Sequence, residues 1–156
     1  MTKNQTFNSE AGGLKTLGSP TSFVFENPTA SILEAFENRY PDRDYLIEFL
    51  HPEFTSLCPK TGQPDFATIK LRYAPGKWCV ESKSFKLYLA AYRNHGSFME
   101  SITNKIADDL IKVLLPRRLS LEGIFNVRGG TAITVRVEYL APELPEEDIR
   151  RLKELW

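Results

Sequence analysis

The fold is decided by residues 120–139, which read SLEGIFNVRGGTAITVRVEY. Apolar and polar residues alternate with period two through 131–139, a pattern typical of a strand with one buried face. Residues 120–127 form the preceding strand, and Arg128-Gly129-Gly130 supplies the glycines that a tight turn favours. The stretch therefore predicts a β-hairpin of two antiparallel strands.

Two further strands and an extended segment precede this hairpin. Residues 45–50 read as a strand that His51-Pro52 closes, and residues 67–73 alternate with period two. A turn rich in Pro and Gly, residues 54–65, joins these two strands. A second turn follows at 74–77, and residues 78–80 return to an extended conformation.

After residue 80 the spacing of apolar residues changes to the one that is typical of helices. A first helix is predicted over residues 84–93, with a stop at 94–96. Ser97 is predicted to cap a second helix, with Glu100 three residues later as its capping-box partner, and Pro116 ends that helix. Residues 145–156 read as a short charged helix.

This order predicts an α+β fold, an antiparallel sheet with two helices on one face. Residues 21–156 are expected to form a single domain, preceded by a loosely ordered segment over 1–20 that is rich in small polar residues. Four strands are too few to close a useful barrel, so the sheet keeps open edges unless copies pair edge to edge. We therefore expect a homo-oligomer.

The composition favours a small-molecule partner. The 156 residues contain 20 basic and 20 acidic side chains, and this neutral balance gives no sign of a nucleic-acid or membrane surface. The two cysteines, Cys58 and Cys79, are too few for a disulfide framework, and no local Cys/His metal motif is visible. With no apolar leader or spanning run, a cytoplasmic location is expected.

A candidate nucleophile lies in residues 54–66, FTSLCPKTGQPDF. Pro59, Gly62 and Pro64 prevent a regular helix, so the chain must double back and can bring Asp65 close to the Cys58 thiol. A thiol beside a carboxylic acid can form a covalent adduct and protonate it. The alternative is that Cys58 is only a small buried side chain before a turn.

A candidate anion site lies in residues 81–86, ESKSFK. Ser82 or Ser84 can cap a helix there, and the free N–H groups with Lys83 and Lys86 suit a phosphate. The alternative is an ordinary solvated helix start, and the Arg128 turn is likewise either a second cation site or a plain hairpin loop.

Two carboxylates, Glu81 and Glu100, are candidates for accepting paired N–H groups from a guanine-like ligand. For Glu100 the alternative is the capping box. Cys79 is expected only to pack.

Together these segments resemble the QueF family, the NADPH-dependent nitrile reductases of queuosine biosynthesis. The resemblance covers about residues 18–140 and is carried by the Cys58 turn, by residues 81–88 (ESKSFKLY), by 93–96 (RNHG) and by 128–130 (RGG). The length resembles the short, one-module form. The resemblance implies the tunnelling fold shared with GTP cyclohydrolase I, in which subunits join their sheets around a barrel. It also implies two stacked pentamers with active sites between subunits.

The implied reaction reduces 7-cyano-7-deazaguanine to 7-aminomethyl-7-deazaguanine with two NADPH and no catalytic metal. The resemblance assigns Cys58 as the nucleophile that forms a thioimide and Asp65 as the proton donor, a role that needs a protonated carboxyl group. The remaining roles fall in two sets. The substrate positions are Val80, Glu81, Ser82, Met99 and Glu100, and the NADPH positions are Ser82, Lys83, Arg128 and Gly129.

One residue departs from the family pattern, which reads Phe-His-Glu where this chain reads Phe98-Met99-Glu100. Methionine cannot replace histidine as a hydrogen-bond donor or a charge. The position tolerates Met, the substrate differs, or the chain is an altered variant. Three rival functions stay open: an amidinotransferase that uses the same thioimide, a protein that binds the nitrile without reducing it, and a metal-dependent cyclohydrolase. The intact 81–88 signature disfavours the first, and the missing metal ligands disfavour the last.

Overall fold

The computed structural model describes residues 13–18, 20 and 22–156. A four-stranded antiparallel sheet forms its centre, with strand order β2-β3-β5-β6. These strands are β2 (Ile47–Leu57), β3 (Pro64–Ala74), β5 (Arg118–Arg128) and β6 (Thr131–Leu140). The α+β class and the predicted hairpin are therefore confirmed, and β2 and β6 are the two edges of this sheet.

A second, two-stranded sheet pairs β1 (Ala35–Glu37) with β4 (Trp78–Val80) in antiparallel register. The extended conformation predicted for 78–80 is confirmed. Strand β1 was not predicted, because three residues carry too little periodicity to stand out from a loop. A 3₁₀ turn over Ala30–Ile32 precedes it.

The prediction that His51-Pro52 closes the first strand is wrong. Strand β2 continues to Leu57, and its register against β3 shifts between His51 and Phe54. A bulge accommodates the proline, which cannot donate to the sheet, on an edge strand. The turn between β2 and β3 is accordingly shorter than predicted and spans residues 58–63.

The predicted helices are found as α1 (Ser82–Ala90), α2 (Met99–Leu114) and α3 (Glu146–Leu155). The predicted cap of α2 is wrong. Phe98 occupies the N-cap position without a side-chain hydrogen bond, and the Ser97 amide instead donates to the Leu57 carbonyl at 3.1 Å. The Ser97–Glu100 capping box is therefore absent, and Glu100 is exposed.

The core lies between the sheet and helices α1 and α2, where the inward residues of β3 and β5 meet the apolar stripe of α2. Gly123 of β5 allows close approach, because a Cβ there would lie 2.5 Å from Thr103 Oγ1 on α2. The buried hydroxyl of Tyr88 joins the two helices by donating to Asp109 Oδ2 at 2.6 Å.

Helix α3 ends on the opposite face of the sheet. The Trp156 carbonyl accepts from Arg72 at 2.9 Å, and the Arg118 guanidinium lies 4.0 Å from the centroid of the Trp156 ring. None of the helices in the described part of the chain is long and apolar enough to cross a membrane.

Candidate active site

Cys58 lies in a tight turn directly after β2. Its amide donates to the Gln63 carbonyl at 2.8 Å, and its carbonyl accepts from the Gly62 amide at 2.9 Å. Gly62 adopts a φ of 68°, a left-handed conformation that glycine tolerates without strain. The Pro/Gly pattern therefore closes the turn as predicted and leaves the thiol partly exposed.

The turn also makes the thiol more acidic. The Thr61 hydroxyl and the backbone amides of Lys60 and Thr61 lower the pKa of Cys58 to about 7; burial opposes them, and the Arg128 side chain adds the smallest lowering effect. Each of these donors stabilises the thiolate. Thr61 was not among the predicted site residues, although its place three positions after the cysteine in a turn was a signal for such a donor.

Asp65 is brought to the same end of the sheet, as predicted. It is the second residue of β3 and is only 5% exposed. Arg128, the last residue of β5, lies with its Nη1 2.6 Å from Asp65 Oδ1. This ion pair gives Asp65 a cationic partner at the end of the sheet where the Cys58 turn lies.

The start of α2 lies at this end as well. The Leu57 amide donates to the His95 carbonyl at 3.1 Å, and Leu57 forms a parallel bridge with Gly96. These bonds hold residues 95–97 against the end of β2. They therefore place the start of α2, with Met99 (8% exposed) and Glu100, near the Cys58 turn. We name Cys58, Asp65, Arg128, Met99 and Glu100 the thiol cluster.

The remaining predicted residues form a separate group, which we name the Glu81 cluster: Val80, Glu81, Ser82 and Lys83. The Val80 amide donates to the Tyr73 hydroxyl at 3.0 Å, near the end of β3. Asp65 lies at the start of that strand, and eight residues of strand span about 26 Å. Within one chain the two clusters therefore lie at opposite ends of the sheet.

The predicted serine cap of α1 is wrong. Glu81 is the N-cap, and its carboxylate accepts from the amides of Lys83 at 2.8 Å and Ser84 at 2.7 Å. Ser84 is buried and donates instead to the Glu81 carbonyl at 2.8 Å. An acidic cap satisfies these amides more strongly than a hydroxyl does. The helix start consequently does not offer them to a phosphate.

Lys86 lies three residues after Lys83 on α1, about one helical turn further along. It lines a cavity of about 810 Å³ together with His51 and Arg93. Burial, with the nearby Lys86 charge, lowers the pKa of His51, although Glu53 opposes this effect. Because Glu81 binds the amides of Lys83 and Ser84, the predicted anion site retains its two lysines but not these free amides.

A short N-terminal stretch covers the Glu81 cluster. The Thr16 carbonyl accepts from Lys83 Nζ at 2.9 Å, and the Thr16 hydroxyl donates to Glu81 Oε2 at 3.3 Å. Thr16 also bonds Glu34 Oε2 at 2.9 Å. Residues 1–12 and 19 of the predicted loose segment lie outside the described residues. No sequence pattern pointed to Thr16 or Glu34.

The hairpin between β5 and β6 has room around its glycines. Gly129 adopts a φ of 59°, and no atom lies within 4 Å of a Cβ built on it. The Arg128 side chain is 39% exposed. The hairpin thus offers an accessible guanidinium to an anionic ligand.

Among the described residues, no group of three or more His, Cys, Asp or Glu is arranged to hold a metal ion.

The chain is similar in sequence to a known protein family and to named proteins of that family. The family described as QueF-like protein matches residues 64–143. A protein of Nitratidesulfovibrio vulgaris is 53% identical over 125 residues, 80% of this chain and 76% of its own. One of Desulfovibrio desulfuricans is 47% identical over 152 residues, 97% of this chain and 89% of its own. Both are named NADPH-dependent 7-cyano-7-deazaguanine reductase.

A solved structure shares the fold. The archaeosine synthase QueF-Like in its apo form aligns with a TM-score of 0.56 at 17% identity, over 64% of this chain and 96% of that chain. At this identity the likeness concerns the fold alone. The family match and the identities to the named reductases together establish that this chain belongs to the QueF family.

Proposed function

We propose that this protein reduces the nitrile of 7-cyano-7-deazaguanine to the primary amine, with Cys58 as a covalent nucleophile. The observation that carries the proposal is the turn that lowers the pKa of Cys58 to about 7, at the end of the sheet where the buried Asp65 pairs with Arg128. A thiolate is available at neutral pH, and a group that exchanges protons lies at the same end of the sheet. We infer the substrate from the names of the similar proteins, which are 7-cyano-7-deazaguanine reductases.

The first step adds the Cys58 thiol across the carbon–nitrogen triple bond. The sulfur forms a bond to the nitrile carbon, the nitrogen gains a proton, and a thioimide results. Asp65 can accept the proton that leaves the Cys58 thiol and pass it to the nitrogen. This transfer starts from the carboxylate that Arg128 pairs with, so no separately protonated acid is needed.

Later steps return Cys58 to its free form. When bound, NADPH supplies the hydrides that turn the activated carbon into an amine, two for each nitrile. After the first hydride reaches the carbon, Cys58 leaves as a thiolate and an imine forms, which the second hydride reduces to the amine. The low pKa of this thiol makes it a better leaving group. Asp65 exchanges a proton at the nitrogen in these steps as well.

The cofactor residues suggested by the family fit in part. Arg128 and Gly129 lie on an open hairpin, and Lys83 is a second cation on α1. Since Glu81 occupies the first amides of α1, the phosphates would be held by these side chains rather than by the helix start. Ser82 remains a candidate for both ligands.

The substrate residues require two copies of the chain. Met99 and Glu100 belong to the thiol cluster, whereas Val80, Glu81 and Ser82 lie at the other end of the sheet. We propose that the Glu81 cluster of one subunit completes the thiol cluster of a neighbour. Open edges at β2 and β6 favour such pairing, and two stacked pentamers in the cytoplasm remain the assembly that we expect.

The test combines mass spectrometry with NADPH absorbance. We expect the nitrile to raise the intact mass by one substrate in the wild-type protein and not in Cys58→Ala, and two NADPH to be oxidised per nitrile. An adduct that persists in NADPH would instead favour a protein that captures the nitrile without reducing it, an outcome that the buried Met99 makes worth testing. Absence of any adduct would refute the proposal.

A further inference from the structure

Ser56 is a buried hydroxyl without a hydrogen bond. It lies in β2, two residues before Cys58, and is 0% exposed. Its Oγ finds no hydrogen-bond partner among the described residues. A hydroxyl removed from water without a compensating bond is unfavourable, and most buried polar groups are satisfied. An unsatisfied group beside a reactive thiol therefore calls for an explanation.

The strand register places this hydroxyl opposite the proposed acid. Ser56 of β2 and Asp65 of β3 are direct partners in the antiparallel pair. Side chains of such partners lie on the same face, with Cβ atoms about 4.5–5.5 Å apart. Both are buried, which agrees with a shared inward face. A serine Oγ and a carboxylate oxygen can meet across this separation after a rotation of either side chain.

Asp65 has a second oxygen for such a contact. Arg128 Nη1 bonds Oδ1 at 2.6 Å. A carboxylate can accept several hydrogen bonds through its two oxygens. A hydroxyl suits this place better than a second cation, because it donates to a carboxylate and accepts from a carboxylic acid. The Ser56 hydroxyl can therefore form a hydrogen bond with Asp65 whether that carboxyl group is charged or protonated.

We propose that Ser56 is a positioning residue for Asp65. Its hydroxyl donates to the Asp65 carboxylate while the proton is on substrate nitrogen or Cys58, and accepts from Asp65 while the proton is there. Ser56 keeps its own proton throughout. The inference rests on the proposed function, since it concerns the proton that Asp65 carries when Cys58 adds to the nitrile.

The test compares Ser56→Ala with Ser56→Thr, which retains a hydroxyl. Ser120→Ala is the matched control, because it removes another buried serine hydroxyl of the same sheet, one bonded to Glu138 at 2.6 Å. Three quantities are measured for each: the rate of adduct formation by intact mass, the dissociation constant of the nitrile, and the melting temperature.

We expect Ser56→Ala to slow adduct formation about tenfold, the effect of losing one hydrogen bond to a charged group. Its nitrile affinity should be unchanged, because Ser56 acts through Asp65 and makes no contact with the nitrile in this proposal. Ser56→Thr should recover most of the rate. Ser120→Ala should lower the melting temperature and leave the rate unchanged.

Two results would overturn the inference. The first is a Ser56→Ala rate equal to that of the wild type. The second is a slow Ser56→Ala protein with a lowered melting temperature and no recovery in Ser56→Thr, which indicates a purely structural role. If the wild-type protein forms no adduct in the same series, the proposed function fails and the role of Ser56 falls with it.

Discussion

Arg128 Nη1 lies 2.6 Å from Asp65 Oδ1, although the two residues are 63 positions apart in the chain. The carboxylate is almost fully buried, and the guanidinium is partly exposed. The same arginine also lowers the pKa of Cys58. One cation thus acts on both the proposed nucleophile and the proposed proton carrier, while part of it faces solvent.

Replacing Arg128 with Ala should affect both partners. The pKa of Cys58 should rise, because a group that stabilises its thiolate is lost, and the free energy of unfolding should fall by about 1–2 kcal/mol, because Asp65 loses its counter-ion in a buried position. Alkylation of Cys58 against pH and urea unfolding measure the two effects.

Arg136→Ala is the control for Arg128→Ala, since it removes a cation of β6 whose pair with Glu122 lies away from the thiol cluster. We expect the Cys58 titration to be unchanged in this variant. A Cys58 midpoint that stays the same in Arg128→Ala would contradict the shared role of this arginine.

The pH dependence of Cys58 alkylation follows from its lowered pKa. Only the thiolate reacts, so the iodoacetamide rate should rise through a midpoint near pH 7 and level off above it. Thr61→Val should move the midpoint upward, because the Thr61 hydroxyl makes the largest contribution. Burial raises the pKa of Cys79, and that thiol should react slowly throughout.

Peptide mapping distinguishes the two thiols, and Cys79→Ala is the matched control that should leave the Cys58 profile unchanged. A Cys58 midpoint at the ordinary value of a free thiol, near 8.5, would contradict the role of the turn.

Replacing Met99 with His should raise turnover. Met99 is the first residue of α2, at the end of the sheet where the thiol cluster lies, and an imidazole there adds a proton donor and acceptor. We expect an increase of about tenfold or more in steady-state NADPH oxidation.

Met99→Leu, which keeps an apolar side chain of similar volume, should retain the original turnover. If Met99→His has unchanged turnover and the same melting temperature as the wild type, the histidine of the family is dispensable in this protein.

Mixing two inactive variants tests whether the active site is shared between subunits. Cys58→Ala lacks the nucleophile, and Glu81→Gln keeps an oxygen to cap α1 but loses the charge. If each site takes these residues from different chains, random co-assembly gives about one quarter of sites with both intact. Co-expression of the two should therefore restore about that share of NADPH oxidation.

The control pairs Cys58→Ala with Asp65→Asn. Both residues belong to the thiol cluster of one chain, so no mixed site contains the two intact residues and no activity should return. Failure of the first pair to complement, in oligomers that contain both variants, would place the whole site within one chain.

Gly123→Ala should destabilise the protein by about 1–3 kcal/mol, because the added methyl group would lie 2.5 Å from Thr103 Oγ1 and push α2 from the sheet. Thr103→Ala removes the clashing atoms, so the double variant should lose less stability than the two single changes together. Urea unfolding measures all three. Strict additivity would show that this contact does not set the helix position.

The β5–β6 hairpin, strand β3, the three helices and the family could all be predicted from the amino-acid sequence. These features follow from local information: apolar period, Pro and Gly positions, and contiguous motifs. Some of the local predictions failed. Strand β2 continues past Pro52 because an edge strand tolerates a bulge, and Glu81 displaces the predicted serine cap because its carboxylate binds two amides.

Which site residues lie next to one another depends instead on how distant strands pair. The register between β2 and β3 places Ser56 opposite Asp65, and the length of the β5–β6 hairpin brings Arg128 to the same carboxylate. The direction of β3 separates the Glu81 cluster from the thiol cluster. Such relationships depend on strand pairing over tens of residues, and a periodic pattern fixes which face a side chain occupies but not which distant residue it faces.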